Sequence, residues 1–166
     1  MMNYFKSSSV ISLCCLLFTV SQAEVKVQGF EIIEYGIYTA EAKEKVEDES
    51  TIEGTWTVVD NLKLTAQTDS VFADMKTHFG FWFVVKGEPV GEEITVTFVN
   101  QLPGIQNPDE ERVIYEEKYN STVKIGVPSF KGYMFDYSWE AVPGEWIFQI
   151  YYENQKLGEK RFVVYK

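Results

Sequence analysis

Beyond its first 23 residues the chain has no cysteine, because Cys14 and Cys15 both fall inside the N-terminal apolar stretch, and its 166 residues include one histidine, His78. These two scarcities exclude much familiar chemistry. Without cysteine downstream there is neither a disulfide nor a thiolate nucleophile, so the domain must be held by its core alone. One imidazole and no thiolate cannot supply the three or four soft ligands of a zinc site. A hydrolytic triad has only His78 for its base, and His78 stands directly before Phe79-Gly80, where local packing or bonding at a strand start is the expected role. No catalytic residue, metal site or cofactor is predicted.

Positive charge is scarce as well: 15 Lys and Arg stand against 25 Asp and Glu, a formal net charge of −10. No cluster of cations is available to displace counterions from phosphates, which excludes nucleic acid as a partner. The same acidity repels anionic lipid headgroups and favours a basic protein. Glu47-Asp48-Glu49 and Asp109-Glu110-Glu111 are dense acidic runs, but they lack the spaced ligands and glycine of a calcium loop.

Long apolar runs are absent but for Val10–Val20 (VISLCCLLFTV), which is shorter than the ~20 residues a membrane-spanning helix needs. Preceded by Lys6 and followed by Ser21 and Ala23, it has the layout of a signal peptide over residues 1–23, cleaved after Ala23. Leu13 stands before Cys14, where a lipoprotein signal favours Gly or Ala. The expected product, residues 24–166, is periplasmic or secreted and has no transmembrane segment. Lys6 is the one charged residue lost, so −10 becomes −11.

What remains is patterned for strands. Val25 to Tyr38 is rich in β-branched and aromatic residues and reads as a long first strand. Residues 39–53 begin with TAEAKEKVEDES, polar on every side, and are expected to form an acidic loop or short helix. Period-two alternation resumes at Gly54, with a turn or kink at Asp60-Asn61. The run HFGFWFVVK (78–86) reads as a central strand covered on both faces, and Glu93 to Val99 alternates cleanly. Gln101 to Pro108, with two prolines and a glycine, is expected to end pairing. Glu111 to Tyr119 and Thr122 to Val127 read as a strand pair around Asn120-Ser121. The chain closes on a hairpin with Trp146, Phe148, Ile150 and Tyr152 on one face, a turn within 153–158, and an edge guarded by Lys160, Arg161 and Lys166. Eight or nine strands without a convincing helix predict a single all-β domain, an antiparallel β-sandwich. Its core is expected to hold Trp82, Phe98, Trp146, Phe148 and Phe162.

Several pieces in this order resemble a family of exported bacterial proteins known as DUF3859: Glu34-Tyr35-Gly36-Ile37-Tyr38, Phe79-Gly80, Gly87, Pro89 and Gly91, Pro103-Gly104, Trp139-Glu140, and Pro143-Gly144-Glu145-Trp146 with Phe148, Leu157, Phe162 and Val164. The resemblance implies an immunoglobulin-like β-sandwich and supplies no reaction, ligand or catalytic residue.

Two constellations could carry function. Asp136, Glu140 and Glu145 lie among aromatic residues, as the carboxylates of an envelope glycosidase would. Tyr133, Phe135, Tyr137 and Trp139 recur at every second position, so an extended segment would line them on one face; Tyr133, Tyr137 and Trp139 are the predicted binding residues, able to stack on sugars or anchor a protein. The resulting expectation is an exported, non-catalytic binding module whose partner is a basic exported protein or a surface glycan. A carbohydrate-binding module is one alternative, and a carboxylate-dependent glycosidase the other. The compartment is checked by the intact mass of the exported species, expected to begin at Glu24. Retention of residues 1–23, or an acyl chain on a cysteine, would contradict it.

Overall fold

The structure, a computed structural model, describes residues 24–47 and 54–166; the expected signal peptide (1–23) and residues 48–53 lie outside the described residues. Nine strands follow in chain order: β1 (Lys26–Glu47), β2 (Thr55–Ala66), β3 (Ser70–Phe72), β4 (His78–Glu88), β5 (Glu93–Gln106), β6 (Val113–Lys124), β7 (Ser129–Met134), β8 (Gly144–Tyr152) and β9 (Gln155–Tyr165). They form two sheets, one ordered β2-β1-β4-β7 and the other β3-β9-β8-β5-β6. Pairing is antiparallel throughout except between β3 and β9. The fold is the expected all-β sandwich, and no helix among the described residues is long and apolar enough to cross a membrane.

Alternation sets what is buried. Phe79, Phe81, Phe83 and Val85 of β4 point inward, facing Ile94, Val96 and Phe98 of β5, Trp146, Phe148 and Ile150 of β8, and Phe162 and Val164 of β9. Each such side chain contributes about 1.5–3 kcal/mol on burial. Phe79 is the hub, its ring centroid 5.2–6.4 Å from those of Tyr133, Phe135, Trp146, Phe148 and Phe162. Phe98, Trp146, Phe148 and Phe162 therefore take their expected core places. Trp82 does not: its parity is opposite to that of Phe81 and Phe83, so it lies half-buried on the outer face, packed on Phe130 at 5.4 Å. A continuous apolar run here means a core on one side and a layer of half-buried rings on the other.

Other expectations are corrected. Residues 39–47 are neither loop nor helix; they continue β1 and pair with β2 as far as Glu47 opposite Thr55. The ribbon draws on polar cross-strand contacts in place of an apolar stripe: Lys43 with Asp60 at 2.7 Å, and Asn61 Nδ2 donating to Glu41 at 2.9 Å. β5 runs on through Pro103-Gly104 by means of a bulge between Gln101 and Ile105, with Gly104 at φ 102°. β6 is one unbroken strand across Asn120-Ser121. β9 is an edge only in part, because β3, absent from the expectation, pairs with it at Val163–Tyr165; Lys160 pairs with Asp69 and sits 3.5 Å from the Tyr35 ring centroid. The β8–β9 turn lies where expected, with Glu153 and Asn154 at φ 47° and 65°, the conformation of a type I′ hairpin.

Gly36 occupies φ +146°, and a Cβ there would overlap the Ala66 carbonyl oxygen of the neighbouring strand. Gly36→Ala should therefore destabilise the domain far more than Gly29→Ala, whose Cβ would meet nothing within 4 Å. Trp146→Ala should cost about 3–5 kcal/mol. Urea melts of the three variants check both statements, and a wild-type midpoint for Trp146→Ala would remove the hairpin from the core.

Candidate functional site

β1 is longer than its sheet. Lys26 to Tyr38 pair with β4 and Ile37 to Glu47 pair with β2, so only at Ile37 and Tyr38 does β1 have both neighbours. Beyond that row β1 and β2 form an arm alongside the segment that follows β7. The arm is fastened at Asp136, a carboxylate with 6% of its side chain exposed. Asp136 accepts from Thr57 Oγ1 of the arm at 3.1 Å, lies 3.4 Å from Lys45 Nζ of the arm, and pairs at 2.6 Å with Lys76 Nζ. Lys76 is placed by its own backbone, donating to the Phe135 carbonyl at 2.8 Å. Burial pushes the Asp136 carboxyl upward, but the hydrogen bonds from Lys76 and Thr57 and the lysine charges outweigh it and hold it below the usual carboxylate value.

Under the arm lies a cleft of about 320 Å³ where edge strands β6 and β7 of the two sheets face each other. A second compartment of about 530 Å³ adjoins it between the arm and Lys76, sharing Thr57, Val59, His78, Met134 and Asp136 with the first. Buried polar groups gather in the smaller cleft. Asn100 Nδ2 donates to Glu117 Oε2 at 2.6 Å. Lys131, 4% exposed, donates to the Tyr119 hydroxyl at 2.8 Å, and its Nζ lies 4.8–5.5 Å from the ring centroids of Phe98, Tyr119 and Phe148. Cation–π attraction offsets part of the cost of burying that charge. His78 stands edge-on to Phe130 at 5.4 Å, and Phe130 in turn covers the paired Gly80 and Gly132. Burial, with a smaller push from Lys131 and a counter-pull from Asp136, lowers the His78 pKa to about 4.

The predicted binding residues are divided by the structure. Strand geometry ends at Met134, so the every-second-position pattern does not continue on one face. Tyr133 lies against the core, 4.9 Å from the Trp146 ring, and Phe135 is fully buried. Tyr137 and Trp139 come together, stacked at 5.5 Å and 9°, with Lys45 5.1 Å from the Tyr137 centroid. The three carboxylates are also dispersed. Asp136 holds the arm, Glu145 pairs with Arg161 at 3.1 Å, and Glu140 is fully buried, accepting the Tyr137 backbone N–H at 2.8 Å.

The cleft residues Asn100, Glu117 and Lys131 were not among those predicted. Period two did point to them: Asn100 follows Ile94, Val96 and Phe98 in phase, and Lys131 shares the parity of Tyr133.

The family model described as "Domain of unknown function (DUF3859)" matches residues 26–164. The chain belongs to this family. Among solved structures it is similar to an immunoglobulin-like protein from Pseudomonas aeruginosa, at 26% identity over 87% of this chain and 99% of that one, with a TM-score of 0.57. No curated protein matches. The DUF3859 sandwich is thus immunoglobulin-like, and the pieces that carried the resemblance have structural work in it: Phe79 is the ring hub, Gly80 lies under Phe130, and Trp146 donates its indole N–H to the Val142 carbonyl at 3.1 Å.

The His78 shift fixes a pH dependence. Its folded pKa of about 4 lies below the unfolded value near 6.5, so the unfolded chain takes up the proton first. Stability from this group is complete above pH ~6.5 and falls as pH drops toward 4, by about 3 kcal/mol over the window. The Asp136 contribution is lost only at lower pH, below its ordinary value of 3.8. Denaturant melts between pH 7 and 4 should show the loss, and His78→Gln should flatten it; an equal slope in that variant would exclude His78 as the cause.

Proposed function

We propose that this DUF3859 protein is an exported, non-catalytic binding module whose ligand seat is the cleft beneath the β1–β2 arm. One observation carries the reading: a long ribbon leaves its sheet and overhangs a cleft lined by the buried residues His78, Asn100, Glu117 and Lys131. A cavity of about 320 Å³ with few, placed polar groups and aromatic walls has the makeup of a small-ligand site. The arm gives it a movable wall, since a solvated two-stranded ribbon opens at lower free energy than a core strand. The acidic surface keeps the exported domain soluble and steers any basic protein toward it.

A second reading rests on Tyr137, 43% exposed and stacked on Trp139, as a docking ridge for a basic exported protein or a surface glycan. It is the weaker of the two, because Trp139 and Lys45 already occupy Tyr137. The catalytic alternative has less behind it, since Glu140 is inaccessible and Glu145 is engaged by Arg161.

Fractionated envelope extract added to the ¹⁵N-labelled mature domain separates these readings. A ligand present at 100 times its Kd adds about 2.7 kcal/mol of stability, a rise of several degrees in Tm. The expected result is a fraction that raises Tm and shifts cleft resonances. A fraction whose effect disappears only in the Tyr137→Ala/Trp139→Ala double variant would move the site to the ridge. Turnover of an envelope polymer that Asp136→Asn abolishes would establish an enzyme instead.

A further inference from the structure

We infer that the cleft accommodates a neutral sugar unit, held by Asn100, His78 and Lys131 against the rings of Tyr119 and Tyr133. This rests on the binding reading above and names its ligand class. Asn100 and His78 are 1% and 5% exposed, both line the cleft, and Asn100 Oδ1 and His78 Nδ1 have no hydrogen-bond partner among the described residues. A buried polar atom left unpaired is costly, and both atoms belong to side chains in the wall of one cavity, where a ligand hydroxyl that reached them would supply the missing bond.

Charge selects the ligand further. Asp136 is already matched by Lys45 and Lys76, Glu117 holds Asn100, and the Lys131 cation rests among three ring faces while donating to Tyr119. An anion could pair with Lys131 only by drawing it from Tyr119 and the rings, and would meet Glu117; a cation could pair with Glu117 only by displacing Asn100, and would meet Lys131; either has to break an existing contact on entry. A hydroxyl group donates and accepts at once. It can donate to Asn100 Oδ1 while accepting from the Lys131 ammonium, and a neighbouring hydroxyl can meet His78 Nδ1 in either role. The aromatic walls then face the C–H side of a pyranose ring, the other half of sugar recognition. The volume of about 320 Å³ is near the lower end of the ~300–1,000 Å³ typical of ligand sites, and the adjoining compartment offers a path for further units of a chain.

The test is an NMR titration of the mature domain, residues 24–166, with glucose, galactose, N-acetylglucosamine and cellobiose. Glucuronate and glucosamine are run as charged comparators, and a set of short peptides as a different ligand class. At least one neutral sugar should shift the Asn100 side-chain amide and the His78 ring with a Kd below ~10 mM, while its charged counterpart binds at least ~10-fold more weakly. Asn100→Ala should weaken binding at least ~10-fold. Because that change also leaves Glu117 without its Asn100 donor, Thr55→Trp, which fills the cleft from the arm and leaves the core intact, should abolish binding in a folded protein. Tighter binding by glucuronate or glucosamine, or sugar shifts confined to Tyr137 and Trp139, would overturn the proposal. Cleft shifts by peptides and by no sugar would overturn the sugar class and leave the binding reading standing; silence from every probe would overturn both.

Discussion

Everything in this molecule depends on the aromatic seam between its sheets, centred on Phe79. With no cysteine in residues 24–166, the sheets have no covalent tie, and the ring contacts of Phe79 with Phe135, Trp146, Phe148 and Phe162 stand where a disulfide could otherwise act. Rings suit the task because each buries a large area and meets its neighbours edge-on or tilted, adding about 0.5–1.5 kcal/mol per pair beyond burial. The seam also dictates where glycine occurs. The strand that supplies Phe79 must let Phe130 lie flat on its outer face, and Gly80 opposite Gly132 leaves that room.

The seam has a polar end. Toward the β6 and β7 edges the inward positions change from Phe and Ile to Asn100, Glu117 and Lys131. An apolar core would gain by filling these positions with hydrocarbon, since burying paired charges is frequently no better than neutral for stability. Their presence at one edge, beneath the single ribbon that leaves the sheets, separates this edge from the rest of the sandwich.

Much of the fold was legible because period two is a strong signal wherever one face is buried. It located the cores of β4, β5, β8 and β9 and the turn at Glu153-Asn154. It failed where burial is two-sided or absent. In β4 an unbroken apolar run hid the outward parity of Trp82, and residues 39–47 are polar and mostly exposed, so composition resembled a loop. Prolines misled for β5, because Pro103 falls at a bulge, where a missing N–H costs nothing in the ladder. The site was less legible than the fold. Tyr133 to Trp139 satisfied the alternation rule on paper, yet the chain leaves strand geometry at Met134 and sends Tyr133 and Phe135 inward while Tyr137 stays out. Asn100 and Lys131 were in phase with the core, but no local pattern says that two polar residues 31 positions apart share one cavity; only the pairing of β5 with β8 and of β4 with β7 does.

The arm's attachment sets how the cleft is walled on its outer side. Lys43–Asp60 is a surface pair on the ribbon, worth little in solvent, and it ties the arm to itself rather than to the body. Asp136 is different in kind. It is shielded from water, it joins Thr57 and Lys45 of the arm to Lys76 of the body, and an unpaired carboxylate in that position would be strongly disfavoured. Of its three partners Lys76 alone belongs to the body, so Asp136 has a cationic partner that does not depend on the arm. The contacts from arm to body at this point are the Thr57 hydroxyl bond, the longer Lys45 ion pair and the Lys45–Tyr137 ring contact. Shared in this way, one buried carboxylate fixes the register of the arm against the body.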